Sequence, residues 1–163
     1  MGPTYGQIKA GNGPAINGKA KRLVRDALRK YGLIAKPAAN SGLIRVVGHD
    51  SVTIRVKAMT SASKGWRWNV KNRTVFRDIG LHDFCVLVDL NDDRPPAQYY
   101  IVPTRDVEAK LQEAFQKWLA GKPGRSESNS VWFLGDHPDQ CEWLQGYRDW
   151  KLLLSFLPPP RRK

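Results

Sequence analysis

The sequence is poor in residues that form disulfides or bind metals. Its 163 residues include 2 cysteines and 3 histidines, too few for a disulfide framework or a four-cysteine zinc site. The histidines, His49, His82 and His137, lie far apart and lack the spacing typical of metal ligands. Cys85 stands in an apolar run and is predicted to be a buried, reduced thiol. We therefore expect no metal site.

Long apolar runs and nucleotide-binding loops are missing as well. No stretch approaches the roughly 20 apolar residues that a membrane helix requires, and the N-terminus has no apolar targeting segment. The fragment Gly11-Asn12-Gly13 lacks the rest of a phosphate-binding or dinucleotide-binding motif. These absences predict a cytoplasmic protein that binds neither a membrane nor a cofactor.

Acidic residues are scarce in the first half of the chain. Residues 1–82 contain 16 lysines and arginines but only 3 acids, a net charge of +13, whereas residues 83–163 contain 11 and 12, a net charge of −1. The whole excess of +12 therefore comes from the N-terminal half. Because a polyanion is the usual partner of one basic face, this distribution favours nucleic acid as the ligand.

Composition divides the chain into three parts. Residues 1–13 are rich in glycine and polar side chains, which predicts a flexible arm. Residues 157–163 form a basic, proline-rich tail. Between them, residues 14–156 have the length of one domain and contain no internal repeat. We expect a single α/β domain.

Hydrophobic periodicity predicts the order of the elements in this domain. A first helix is predicted to begin at Pro14 and to stop at Gly32. A second helix capped by Thr104 and a helix-like segment over 138–156 are predicted in the C-terminal half. Apolar runs predict strands at 33–36, 43–47, 52–59, 66–70, 74–76, 84–90, 98–102 and 131–134. This order predicts a central mixed sheet flanked by helices.

The first predicted helix is strongly amphipathic. Its apolar residues recur at helical spacing, and its other face carries six cations with a single acid, Asp26. The cations are Lys19, Lys21, Arg22, Arg25, Arg29 and Lys30. A solvated surface is the ordinary explanation of such a face, but six cations exceed what solvation needs. We expect this helix to contact phosphates.

Four short segments follow one another in an order known from one superfamily. They are Ile54-Arg55-Val56-Lys57, Lys64-Gly65-Trp66-Arg67-Trp68, Val88-Asp89-Leu90 and Tyr99-Tyr100-Ile101-Val102-Pro103. With the predicted hairpin before them and the closing segment Trp150-Lys151-Leu152-Leu153, they resemble small bacterial members of the PD-(D/E)XK nuclease-like superfamily. The resemblance covers residues 14–155. It implies a restriction-endonuclease-like central mixed sheet flanked by helices, and a role on DNA.

The superfamily's catalytic site can be compared with this chain residue by residue. Its members use carboxylates to hold a divalent metal ion that activates water, with a lysine two residues after one carboxylate on the same face of a strand. Lys57 matches that lysine, but Arg55 replaces the carboxylate. The other acidic places fall at Leu43 or Ile44 and at Lys19. The resemblance therefore implies a degenerate site with no catalytic residue, Lys57 being catalytic only if the protein is active.

The segment after the Lys57 strand interleaves aromatic and basic side chains. The cations are Lys64, Arg67, Lys71 and Arg73, and the aromatic residues are Trp66 and Trp68. In an extended chain the two tryptophans face one way and Arg67 the other. The tryptophans either contact DNA, by entering a groove or stacking on an unpaired base, or pack in the core. The sequence leaves both alternatives open for the tryptophans, and the four cations are predicted to contact nucleic acid.

Three hypotheses of function follow. The favoured one is a non-catalytic DNA-binding protein in which Lys19, Arg55 and Lys57 line one groove. The second is an Mg²⁺-dependent endonuclease with displaced carboxylates, drawn from Asp50, Asp78, Asp83 and Asp89. The third is a basic module that binds RNA or an acidic protein. DNA is favoured over RNA, and the oligomeric state stays open, with a homodimer as one alternative.

Overall fold

The structure is a computed structural model. It describes residues 13–38, 42–60, 65–69, 75–76, 79–90, 97–125, 131–134 and 142–157. Residues 1–12 of the predicted arm and residues 158–163 of the predicted tail lie outside the described residues. The same holds for Lys64, Lys71, Arg73, Asp78 and His137. Gly13, which was assigned to the arm, is the first residue of a helix.

The described residues form helices α1–α3, strands β1–β7 and one short 3₁₀ helix. In chain order these are α1 (Gly13–Arg29), β1 (Ala35–Pro37), β2 (Leu43–Val46), β3 (Val52–Met59), β4 (Trp66–Asn69), β5 (His82–Asp89), β6 (Gln98–Pro103), α2 (Thr104–Ala120), β7 (Val131–Leu134), the 3₁₀ helix (Trp143–Tyr147) and α3 (Lys151–Leu154). No helix in this described part is both long and apolar enough to span a membrane.

Five strands form one mixed sheet in the spatial order β1-β2-β3-β5-β6. Strands β3 and β5 run parallel, and the other neighbouring pairs are antiparallel. Strands β4 and β7 form a separate antiparallel pair. The predicted α/β class, with a central mixed sheet flanked by helices, is confirmed. The specific restriction-endonuclease-like topology stays a prediction.

The two faces of the sheet cover separate apolar cores, because successive strand side chains point in opposite directions. On one face, Ile54 and Val56 of β3 are buried with the apolar stripe of α1. We call this the α1 face. On the other, the α2 face, Cys85 and Leu87 of β5 are buried with residues of α2 and of the β4–β7 pair. Each side chain of β3 therefore lies either on the α1 face or on the α2 face.

Helix α1 is fixed by its buried stripe and by its C-terminal turn. Ala20, Val24 and Leu28 are completely buried, and their spacing of four places them on one side of the helix. Gly32 has φ of 79°, a left-handed conformation that glycine adopts without strain. The amide of Leu33 donates to Leu28 O at 3.1 Å, as in a Schellman turn. The predicted stop at Gly32 is confirmed.

Thr104 does not cap α2, contrary to the prediction. Pro103 stands at the N-cap position, and no side chain there bonds the first turn of the helix. The Thr104 hydroxyl, which is completely buried, donates instead to Asp83 Oδ1 at 2.6 Å. A hydrogen bond to a carboxylate is stronger than one to a neutral amide, which accounts for the different partner.

The C-terminal region also differs from its prediction. The helix-like segment predicted over 138–156 is broken, in its described part, into the 3₁₀ helix and the single turn of α3. Leu157 is buried in the core of the α1 face, so the domain extends one residue past the predicted boundary at 156. Residues 75 and 76 are not in a strand, and residue 74 lies outside the described chain.

Candidate nucleic-acid interface

The outer surface of α1 presents exposed cations. Arg22 and Arg29 lie on the side opposite the buried stripe, and Lys30 follows in the turn; all three are exposed. Asp26 lies among them, with Arg29 NH1 4.0 Å from its Oδ1. Both side chains of this pair are more than three-fifths exposed, and such a pair contributes little to stability. The surface therefore keeps a positive balance.

Two other predicted contact residues of α1 are already engaged within the protein. Arg25 is half-buried and donates from Nε to Ala35 O at 3.0 Å, which ties the helix to β1. Lys19 is half-buried and has interactions of its own. Arg25 therefore has a structural role that the charge pattern did not indicate.

Arg55 and Lys57 lie on the α2 face. Arg55 lies against the ring of Phe76, and Lys57 lies against the ring of Trp68; both rings belong to the core of that face. Helix α1 packs on the opposite face. The sheet therefore separates Lys19 from Arg55 and Lys57, and the single groove predicted for these three residues is not formed.

Arg55 is bound to a buried carboxylate. Its Nε donates to Asp83 Oδ1 at 2.8 Å and its NH2 to Oδ2 at 2.7 Å. The Asp83 side chain is 1% exposed and that of Arg55 is 23% exposed. The hydrogen bonds to Asp83 raise the pKa of Arg55, against the opposing effect of burial. The guanidinium charge is thus compensated inside the protein.

The same network continues to Cys85. Its Sγ lies 3.4 Å from the Thr104 hydroxyl oxygen, which also bonds Asp83. Burial raises the pKa of the Cys85 thiol to about 12. The prediction of a buried thiol is confirmed, and a thiol with this pKa is a poor nucleophile near neutral pH.

Lys57 is half-buried beneath β4. Its Nζ lies 5.5 Å from the ring centroid of Trp68, within the range of a cation–π contact. Burial lowers the pKa of Lys57, and the charge of Arg67 lowers it further. Lys57 is therefore an interior cation that faces an aromatic ring rather than an open phosphate-binding groove.

Trp66 and Trp68 are core residues. They are 1% and 8% exposed, and the Trp66 indole donates to Val88 O at 3.3 Å. Trp66 packs edge-on against Tyr100, at 5.9 Å between ring centroids. Of the two alternatives that the sequence left open, these side chains therefore follow the one of packing in the core rather than contacting DNA, because neither ring has a face open to a base. Arg67 lies between them in sequence and is exposed.

An aromatic group that sequence reasoning missed lies at the C-terminal end of α1. The Tyr31 ring is 6.5 Å from that of Trp150, which is 5.5 Å from that of Tyr99. Tyr31 is 52% exposed. Burial raises the pKa of Tyr99, and the nearby charge of Asp26 adds to that rise. The sequence feature that could have indicated this group is an aromatic residue directly after two cations, Arg29 and Lys30.

The described acids among the proposed metal ligands, Asp50, Asp83 and Asp89, do not converge on one site. Leu43 pairs with Arg55 across β2 and β3, so the neighbouring strand offers an aliphatic side chain there. Asp83 is engaged by Arg55. Asp89 pairs with Met59 and lies six residues from Asp83, about 20 Å along a strand, so these two carboxylates do not meet. Asp50 is exposed in the turn before β3. Among the described residues, no group of three or more His, Cys, Asp or Glu side chains is placed to hold a metal ion.

The described residues therefore form an α/β protein with a mixed sheet. A helix with an exposed basic surface packs on one face of the sheet, and a buried Arg–Asp pair lies on the other. No family model, curated protein or solved structure matches the chain. The resemblance to the PD-(D/E)XK superfamily therefore stays a prediction from the sequence.

Proposed function

We propose that the protein binds the phosphate backbone of duplex DNA through the outer surface of α1, without cleaving the DNA. The observation that carries the proposal is a group of three exposed cations: Arg22 and Arg29 on the side of the helix away from the core, and Lys30 in the turn that follows it. They belong to the half of the chain with a net charge of +13. Exposed, clustered cations are the typical electrostatic footprint of nucleic-acid binding.

The spacing of these cations suits a duplex. Arg22 and Lys30 are eight residues apart, about 12 Å along a helix axis. Duplex DNA carries one negative charge per roughly 1.7 Å of its axis, so this length of helix faces several phosphates. Each phosphate that is neutralised releases counterions, which gives an affinity that falls steeply with salt and depends little on base sequence.

The pair formed by Arg55 and Asp83 supports binding without cleavage. Both carboxylate oxygens accept hydrogen bonds from Arg55, and Thr104 adds a third. To hold Mg²⁺, Asp83 would have to exchange the guanidinium for the metal and leave that positive charge buried beside it. Uncompensated buried charge is strongly unfavourable, so Asp83 is better suited to structure than to catalysis.

The test compares two triple variants that remove the same charge. One replaces Arg22, Arg29 and Lys30 with alanine. The control replaces the exposed cations Arg105, Lys117 and Lys122, at the two ends of α2. Arg25 is left intact because it bonds Ala35. Binding to a labelled blunt duplex is measured by anisotropy over a salt series, with heparin and RNA as competitors.

We expect the α1 variant to weaken binding and to lower the slope of log affinity against log salt by about 2 to 3. The control variant should keep most of the wild-type slope. Equal losses in both variants would show that net charge alone attracts DNA, and would contradict an interface on α1. Wild-type protein that does not retain duplex DNA at low salt would contradict the proposed function altogether.

A further inference from the structure

Tyr31 combines exposure, an aromatic support and neighbouring cations. More than half of its surface is open, and its ring leans against that of Trp150 at an angle of 43°. Trp150 in turn contacts Tyr99, and both are packed against the core of the α1 face. The exposed cations Arg29 and Lys30 directly precede Tyr31 in the chain. An aromatic ring is thus held in place at the end of the basic surface.

Contacts with the DNA phosphate backbone do not require an exposed aromatic ring. A base in a duplex is stacked between its neighbours, so an exposed tyrosine on the protein surface gains little from double-stranded DNA. An unpaired base has a free face that stacks on an aromatic side chain, and base sequence matters little because every base has such a face. The other two rings of the cluster are half-buried and form the support rather than the contact surface.

We infer that Tyr31 is a stacking platform for an unpaired base, and that the DNA ligand is a duplex with a single-stranded extension. The inference rests on the proposed function, since the α1 cations are to hold the duplex while the extension passes Tyr31. Tyr31 lies in the turn, two residues after α1 ends at Arg29, so its ring stands at the end of the row of cations. The junction between duplex and extension is therefore placed at the end of the helix.

The test uses two DNA probes and a series of variants at one position. The probes are a blunt duplex and the same duplex with a short single-stranded extension. The variants are Tyr31→Ala, Tyr31→Leu, which keeps apolar volume, and Tyr31→Phe, which keeps the ring. Trp118→Ala removes a partly exposed aromatic residue from α2 and is the matched control. Thermal unfolding checks that each variant is folded.

We expect Tyr31→Ala and Tyr31→Leu to weaken binding to the extended probe by roughly 5- to 150-fold, the range of one base–aromatic stack. Binding to the blunt duplex should change by less than about twofold, and Tyr31→Phe should retain the wild-type preference. If Tyr31→Ala loses affinity for both probes to the same extent, or loses affinity for neither probe, the inference is wrong. The triple α1 variant would still lose blunt-duplex binding in that case, so the proposed function would stand. Wild-type protein that binds neither probe would overturn both.

Discussion

Arg55 and Asp83, 28 residues apart in the chain, form a bidentate ion pair between two parallel strands on the α2 face. Thr104, the first residue of α2, adds its hydroxyl to the same carboxylate. One buried acid therefore joins β3, β5 and α2. Its satisfied hydrogen bonds explain how a carboxylate with 1% exposure is accommodated in an otherwise apolar core.

Replacing Arg55 should destabilise the protein because it leaves Asp83 buried with one remaining donor. We expect Arg55→Leu to lower the free energy of unfolding by about 3 to 5 kcal/mol, measured by urea denaturation. The double variant Arg55→Leu with Asp83→Leu should lose less than the sum of the two single variants. Additivity within about 0.5 kcal/mol would contradict a direct coupling between the two side chains.

Cys85 should make stability fall at alkaline pH. Its folded pKa of about 12 exceeds the ordinary thiol value of 9.0, so the unfolded chain loses the proton first. The stability contributed by the neutral buried thiol is fully present below pH 9.0 and is lost as pH rises toward 12. The loss amounts to at most about 1.4 kcal/mol per pH unit.

The measurement compares wild type with Cys85→Ala by urea unfolding at about pH 8 and about pH 11. Groups shared by both proteins cancel in the difference, so the advantage of wild type over the variant should shrink as pH rises. A difference that stays constant with pH would show that the thiol titrates normally in the folded protein.

Trp66 should contribute to the stability of the fold and not to DNA binding. Trp66→Ala removes a buried indole that bonds Val88, so we expect a loss of about 3 to 5 kcal/mol in unfolding free energy. Arg67→Ala, at the neighbouring exposed position, should change stability by less than about 0.5 kcal/mol. If folded Trp66→Ala protein loses duplex affinity while its stability is nearly unchanged, its assignment to the core is wrong.

Substitutions of Arg25 and Arg22 should distinguish a structural role from a DNA-contact role on α1. Arg25→Ala removes the bond to Ala35 and is expected to cost about 1 kcal/mol of stability. Arg22→Ala should leave stability within about 0.5 kcal/mol of wild type and reduce the salt slope of DNA binding by about one contact. The reverse order of stability effects would count against the contact between α1 and β1.

The protein should not cleave DNA, and Lys57 should not contribute to duplex retention. Lys57 faces Trp68 on the α2 face, on the other side of the sheet from α1. We expect intact plasmid after incubation with Mg²⁺ or Mn²⁺, and duplex affinity of Lys57→Ala within about twofold of wild type. Metal-dependent cleavage that survives stringent purification and disappears in Lys57→Ala would establish the nuclease alternative instead.

Local sequence patterns were sufficient for most of the elements. The alternation over Val52–Met59 predicted β3 with its observed ends, because one covered and one partly covered face impose a period of two. The continuous apolar run after Asp83 predicted a strand buried on both faces, as β5 is. The start and stop of α1 followed from Pro14 and Gly32.

The candidate site was harder to predict because its geometry depends on pairing across long distances. Nothing local to Arg55 shows that Asp83 lies beside it, since that follows from the parallel register of β3 and β5. Trp66 and Trp68 are covered through the pairing of β4 with β7, which comes more than sixty residues later in the chain. The role of Thr104 was missed for the same reason, because Asp83, the carboxylate to which its hydroxyl donates, is 21 residues away in the chain.

The parallel register of β3 and β5 has a consequence for the order of folding. Every partner in this pairing is thirty residues away, from Val52 with His82 to Met59 with Asp89, whereas α1, β1, β2 and β3 are linked by short connections. Such non-local pairing is slow because the loop must close before any contact forms. During synthesis, which adds roughly 5 to 20 residues per second, β3 has an open hydrogen-bonding edge until β5 has been made. We expect the charged residues of that strand, Arg55 and Lys57, to disfavour pairing of the nascent chain with another copy.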